Sequence, residues 1–249
     1  MMILVISLLV TVPNQARTLP HRFSLKKQEA AGQKQSPELI EADELSAQLI
    51  ALYKEKKYDA ALPLAQRALE LREKVLGPDH LLTADASANL ALVYLAKARR
   101  KEAKPYFERA IAIREKDPGA DKTVVVQLLE RYVCLVAEQG QKDETMEVRK
   151  RLFKLNNGID YDKSAHTAIS LPAPRYPMEA RPKKISGTVV AKVTVDETGK
   201  VSEAKVLCGD PLLVKGIGGA VWNARFNPPT ASGHPIKLID LLIYNFVAY

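Results

Sequence analysis

The chain has little of what catalysis or metal binding requires. Its four histidines, His21, His80, His166 and His234, are scattered, and none stands at an i, i+4 spacing or beside a Cys-x-x-Cys pair. No glycine-rich phosphate loop occurs, and no Ser, His and acid set can be paired from the order of the residues. No catalytic, cofactor-binding or metal-binding residue is therefore assigned, no cofactor is expected, and the chain reads as a non-enzyme. Cysteine is almost absent, with Cys134 and Cys208 alone. They fall in segments read below as different domains, so two small buried hydrophobes are expected rather than a disulfide framework. Trp222 is the single tryptophan and is expected to anchor the core or its boundary. No apolar run is long enough to cross a membrane. The longest leading run, Met1 to Val12, reaches about 18 Å as a helix, against a hydrocarbon core of about 30 Å. A run this short, ending near Ala16, fits a secretory signal peptide or the remnant of a longer anchor.

Charge excludes a further class. Lys and Arg number 37 against 29 Asp and Glu, a formal net charge of +8. The cations are spread along the whole chain and mixed with acids, so no basic stripe suited to nucleic acid appears. Nucleic acid is not expected as a partner.

What is present falls into five stretches. Residues 1–16 form the leader. Residues 17–40 are polar, without apolar periodicity, and read as a linker. Residues 41–157 are helical in pattern and repeat. Ala61 and Ala103, Pro63 and Pro105, Arg67 and Arg109, Ala68 and Ala110, and Arg72 and Arg114 all lie 42 apart. The same step leads on to Thr145, Glu147, Arg151 and Leu152 in a third, weaker copy. A fixed period of this size marks a helical-repeat array, and three copies are about the minimum that bury a continuous core. Each copy holds two apolar helical stretches with a break between them, as at Ala98. Small residues at the crossing let the backbones approach. Leu76-Gly77-Pro78-Asp79-His80 stops one helix at Gly77 and Pro78, and Asp79 can start the next.

These features resemble the tetratricopeptide repeat in its long form. The resemblance implies three repeats over 41–157 and a concave groove that takes a peptide or protein. Asn89 and Leu92 are the groove residues it points to.

Residues 158–173 read as a second linker, and residues 174–249 as a small domain. Gly187 to Asp196 alternates, with Val189, Ala191, Val193 and Val195 on one face and Thr188, Lys192 and Thr194 on the other, the pattern of a strand. Asp196 to Lys200 is a tight turn with Gly199 at positive φ, and Val201 to Leu207 is the return strand. Asp210 is placed to cap a helix opened by Pro211, with Leu213, Ile217, Val221 and Ala224 on its inner face. Gly216, Gly218 and Gly219 weaken that helix by about 1 kcal/mol each. Either its backbone packs very close to a neighbour there or the helix is marginal. Ile236 to Val247 forms a long last strand, apolar on both faces. One hairpin and one helix cannot cover both, so something else must cover one side or one edge. An exposed strand edge is a liability unless it is used. Ile239, Leu241, Ile243, Asn245 and Val247 are the residues assigned to a partner-binding edge. Burial of the strand within the domain, or in a homodimer, stays open.

Tyr176-Pro177, Gly187, the Asp196 to Gly199 turn, Phe226 to Pro228, Gly233 to Pro235 and the last strand, in this order, resemble the C-terminal domain of the TonB family. The expected fold is therefore multidomain: an all-α repeat array, then a small α+β domain with an antiparallel sheet and one packed helix. The resemblance implies a periplasmic interaction module that captures an outer-membrane receptor segment, or another envelope protein, by strand addition. It would act as an energy transducer, or accessory, in TonB-dependent transport across the outer membrane. The chain would be exported, and held at the inner membrane if its true N-terminus is longer. Two family features are missing, a membrane anchor with a basic flank and a Pro-rich spacer. A non-energised envelope scaffold, with repeats and a dimerising terminal domain, is the alternative.

Overall fold

The computed structural model describes residues 36–160 and 167–248. The leader, residues 17–35 of the first linker and residues 161–166 of the second lie outside the described residues. The chain divides into two compact units, Met1–Ile113 and Arg114–Tyr249.

The first unit is built of helices. α1 spans Pro37–Lys54, starting inside the stretch read as linker. Ser36 caps it by accepting from the Leu39 amide at 3.3 Å, and Pro37 takes the first turn. α2 (Tyr58–Leu76), α3 (Leu81–Ala96) and α4 (Arg100–Lys116) follow. The start of α3 differs from expectation: His80, not Asp79, is the cap, with Nδ1 accepting from the Leu82 amide at 3.1 Å. Ala61, Ala84, Ala88, Ala91 and Ala103 are fully buried, which is what close backbone approach requires of small residues. Ser87 is also fully buried and donates to the Tyr106 carbonyl at 2.9 Å. Arg72 is buried and donates through Nη2 to Asp43 at 2.9 Å.

The period of 42 reappears in the backbone. Lys56, Ala98 and Gly140 adopt φ of +60°, +57° and +72°. The residue after each donates five residues back, Lys57 to Leu52, Arg99 to Tyr94 and Gln141 to Val136, at 2.9, 2.9 and 3.0 Å. This is the six-to-one bond of a left-handed helix stop. One turn design therefore closes the first helix of every copy. The ion pair of Arg109 with Glu73 recurs one period on as Arg151 with Glu115.

The second unit contains the third helical hairpin and the sheet. α5 (Lys122–Glu138) is capped by Asp121, and α6 (Lys142–Asn157) stops at Gly158 in the left-handed region. β1 (Ala168–Ser170) lies inside the second linker stretch, and a 3-10 turn covers Met178–Ala180. Then come β2 (Gly187–Val195), β3 (Val201–Cys208), α7 (Pro211–Val214), α8 (Gly218–Trp222), β4 (Arg225–Phe226), β5 (Thr230–Ala231), β6 (His234–Pro235) and β7 (Leu238–Phe246). The main sheet is antiparallel with order β3-β2-β7, and β1 with β4 and β5 with β6 form short ribbons. Gly187 pairs with Phe246 and Val195 with Leu238, without a register break along β7.

One face of the sheet presents Val189, Ala191, Val193 and Val195, with Leu242, Tyr244 and Phe246, to a core that includes Leu213, Ile217, Val221 and Ala224. Asp210 caps α7 by accepting from the Leu212 amide at 2.8 Å. The helix expected from Pro211 to Phe226 is broken into α7 and α8. A Cβ on Gly216 would lie 2.2 Å from the Arg175 carbonyl, and the Arg175 amide donates to the Gly216 carbonyl at 3.2 Å. Close approach is thus the reason for that glycine. Trp222 is 47% exposed, so it is not a core residue.

Candidate functional site

The opposite face of the sheet would be left bare by α7 and α8. It is covered instead by the third repeat hairpin, with α5 over β2 and β3 and α6 beside β7. Lys192 of β2 reaches Glu130 of α5 at 2.6 Å. The Thr188 hydroxyl donates to Asn245 Oδ1 at 2.8 Å and lies 3.4 Å from the Ala137 carbonyl. Cys134 of α5 and Cys208 of β3 form a disulfide. This corrects the expectation of two unpaired buried thiols: it rested on placing the cysteines in different domains, whereas the third hairpin belongs with the sheet.

β7 is the outer strand on its side, so half its backbone groups face away from β2. The parity is fixed at Ile239. Asn157, the last residue of α6, donates through Nδ2 to the Ile239 carbonyl at 2.8 Å and accepts at Oδ1 from the Ile239 amide at 2.7 Å. Ile239 therefore points outward, and by alternation so do Leu241, Ile243 and Asn245. The Leu241 amide is also engaged, by Asp240 Oδ1 at 2.7 Å. Asp240 is buried and takes both Nε and Nη2 of Arg149 on α6, at 2.8 and 2.6 Å. The bidentate fork fixes the carboxylate against the edge. Among the described residues nothing engages the outward backbone of Ile243 or Asn245. Val247 lies beyond the strand and is 58% exposed.

A groove of about 770 Å³ runs along this open part of β7. Residues 241–245 form its floor. Ala137, Gly140, Lys142, Thr145, Met146 and Arg149 of the hairpin form one wall, and Thr167, Ala168, Leu171 and Phe226 form the other. Tyr244 belongs to both this lining and the core on the other face of the sheet; its hydroxyl is buried without a hydrogen-bond partner, and burial raises its pKa above the usual phenol value. The two residues assigned to the repeat groove, Asn89 and Leu92 on α3, are 8% and 2% exposed, which leaves little of either side chain for a ligand.

The structure thus brings Leu241, Ile243 and Asn245 into one groove and engages Ile239 outside it. Residues Lys142, Arg149, Asn157 and Asp240 were not foreseen. Asp240 carried the one available signal, a lone acid inside an otherwise apolar strand.

Among the described residues, no group of three or more His, Cys, Asp and Glu could hold a metal ion. Among the same residues, no helix is long and apolar enough to cross a membrane.

Residues 48–116 match the family model of the tetratricopeptide repeat, and residues 172–247 that of the Gram-negative bacterial TonB protein C-terminal domain. No curated protein matches the chain. Among solved structures, the chain is similar to the crystal structure of BtubC (BKLC) from P. vanneervenii, at 20% identity and TM-score 0.45. That likeness covers 49% of this chain and 50% of that one, so the chain spans half the length of that protein. It is also similar to the solution NMR structure of the Pseudomonas aeruginosa TonB CTD, at 22% identity and TM-score 0.29, over 33% of this chain and 86% of that one. Both matched families are protein-interaction domains, and the partners they imply are proteins.

Proposed function

We propose that this chain, a tetratricopeptide array carrying a TonB-type C-terminal domain, captures an extended polypeptide segment as an added strand on β7. The observation that carries the reading is the open backbone of Ile243 and Asn245 along the floor of a groove. Main-chain hydrogen bonds there would supply affinity, and the groove walls would supply specificity. The chain would work in the envelope of a Gram-negative bacterium, exported to the periplasm, as a transducer or accessory in TonB-dependent transport across the outer membrane. The captured segment would belong to an outer-membrane receptor or another envelope protein. The repeats would hold a second protein.

A second reading, a non-energised scaffold, gains support from the Cys134–Cys208 bond. That bond ties the last repeat hairpin directly to the sheet, where an energy transducer needs reach.

The test is a photo-cross-linking amino acid at position 245 of the full chain in its native cells, with position 205 on the far edge of the sheet as control. Cross-links from 245 that map by mass spectrometry to one extended segment of an envelope protein are expected. Equal trapping from 205, or none from 245, would overturn strand capture. Trapping only of proteins without a link to transport would favour the scaffold.

A further inference from the structure

The groove has two walls of different origin, and its charge is one-sided. Among the described residues, its lining holds two cations, Lys142 and Arg149, and no carboxylate. Arg149 is held by Asp240, whereas Lys142 is exposed and forms no ion pair among the described residues. Lys142 opens α6, and the residue before it, Gln141, makes no side-chain cap bond. Asp143 and Glu144 of the same turn are not part of the lining, and Glu144 accepts from the Tyr132 hydroxyl. The other end of the edge is shut by Asn157 on Ile239 and by Asp240 on Leu241.

We infer that the third repeat hairpin reads the captured segment: the groove takes a short extended peptide through Ile243 and Asn245, and Lys142 selects a side-chain carboxylate on it. The inference rests on the strand-capture reading and adds to it a specificity that the sheet domain lacks by itself. The strand contact is short because α6 occupies the rest of the edge. The hairpin stays in place because it is covalently joined to β3.

The experiment pans a random heptapeptide display library against the full chain with its disulfide intact, in wild-type, Lys142→Glu, Lys142→Gln and Ile243→Pro forms. Proline at 243 removes an outward amide and leaves the bonds to β2 intact, and Asn245→Pro serves if Ile243→Pro fails to fold. The expected result is enrichment of peptides with Asp or Glu at a fixed offset from an apolar residue. Those peptides should bind Lys142→Glu at least tenfold more weakly, with Lys- or Arg-bearing peptides enriched in their place, and the edge-blocked variant should enrich neither. Identical peptides on wild type and both Lys142 variants, lost on edge blocking, would sink the carboxylate selection and leave strand capture standing. Peptides unaffected by edge blocking, or none at all, would sink both. A wild-type dimer in sedimentation that Ile243→Pro splits would make a second copy the occupant and overturn the peptide proposal.

Discussion

The Asn157 carboxamide forms two hydrogen bonds with the backbone of Ile239, donating to its carbonyl at 2.8 Å and accepting from its amide at 2.7 Å. One side chain thus does what a neighbouring strand would do for that residue. Asn157→Ala leaves both groups without a protein partner, and an unmade bond of this kind costs about 1–3 kcal/mol. A fall in the urea midpoint, with the slope unchanged, is the expected reading. The same variant should let peptide contact extend toward Ile239, seen as new amide shifts there on peptide addition.

The Arg149–Asp240 pair should show the asymmetry of buried charge. Removing the cation alone, as Arg149→Met, strands a carboxylate whose side chain is 3% exposed. Losing one partner of a buried pair costs about 3–5 kcal/mol. Arg149→Met with Asp240→Leu removes both charges and should recover most of that loss. A double mutant no more stable than Arg149→Met would show that the carboxylate is not the costly element.

Cys134 and Cys208 are separated by 74 positions. Cross-linking a loop of this length stabilises by about 2–5 kcal/mol, chiefly by restricting the unfolded chain. Cys134→Ser with Cys208→Ser should lower the melting midpoint of residues 114–249, while the midpoint of residues 36–113 stays put. Thiol labelling of the unreduced, denatured protein should find no free cysteine.

The glycines and left-handed turns divide into opposite signs. A Cβ on Gly199, at φ +83°, would sit 2.0 Å from the Phe226 carbonyl, so Gly199→Ala should destabilise by roughly 2–4 kcal/mol. Gly218 and Gly219 lie in α8 with nothing within 4 Å of an added Cβ, so alanine there should stabilise by about 0.5–1 kcal/mol. Ala98→Gly relieves a left-handed alanine at φ +57° and should stabilise by about 1 kcal/mol. Thermal midpoints check all four, and a gain at Gly199 would contradict the contact with Phe226.

The Asp196 carboxylate accepts from the Thr198 hydroxyl at 2.7 Å and from the Thr198 and Lys200 amides at 2.9 and 3.0 Å. These bonds, the Thr198 hydroxyl foremost, hold its pKa below the usual carboxylate range. A depressed folded pKa gives stability that is present above the unfolded value and lost as pH falls through the folded one. Acid loosening of the β2–β3 turn should therefore set in below the ordinary aspartate range. Asp196→Asn should remove that pH dependence in an acid titration followed by NMR of the Gly199 amide.

The sequence by itself determined everything that repeats locally. The 42-residue period placed Ala61 and Ala103 in tight helix crossings and put the helix stop at Ala98, because a repeated backbone turn needs repeated neighbours. Alternation along Gly187 to Val195 determined which side of β2 packs on α7 and α8. The turn at Gly199 and the cap at Asp210 were legible because each rests on bonds within a few residues. The apolar second face of the last strand even required a cover. What covers it was decided by tertiary structure alone. Nothing near Cys134 signals Cys208, nothing near Asn157 signals Ile239, and Arg149 and Asp240 lie 91 residues apart. A helix end can satisfy a strand edge only after both have been brought together, so no local pattern records it. For the same reason the open length of β7 could not be read from its own residues: it is what α6 leaves uncovered.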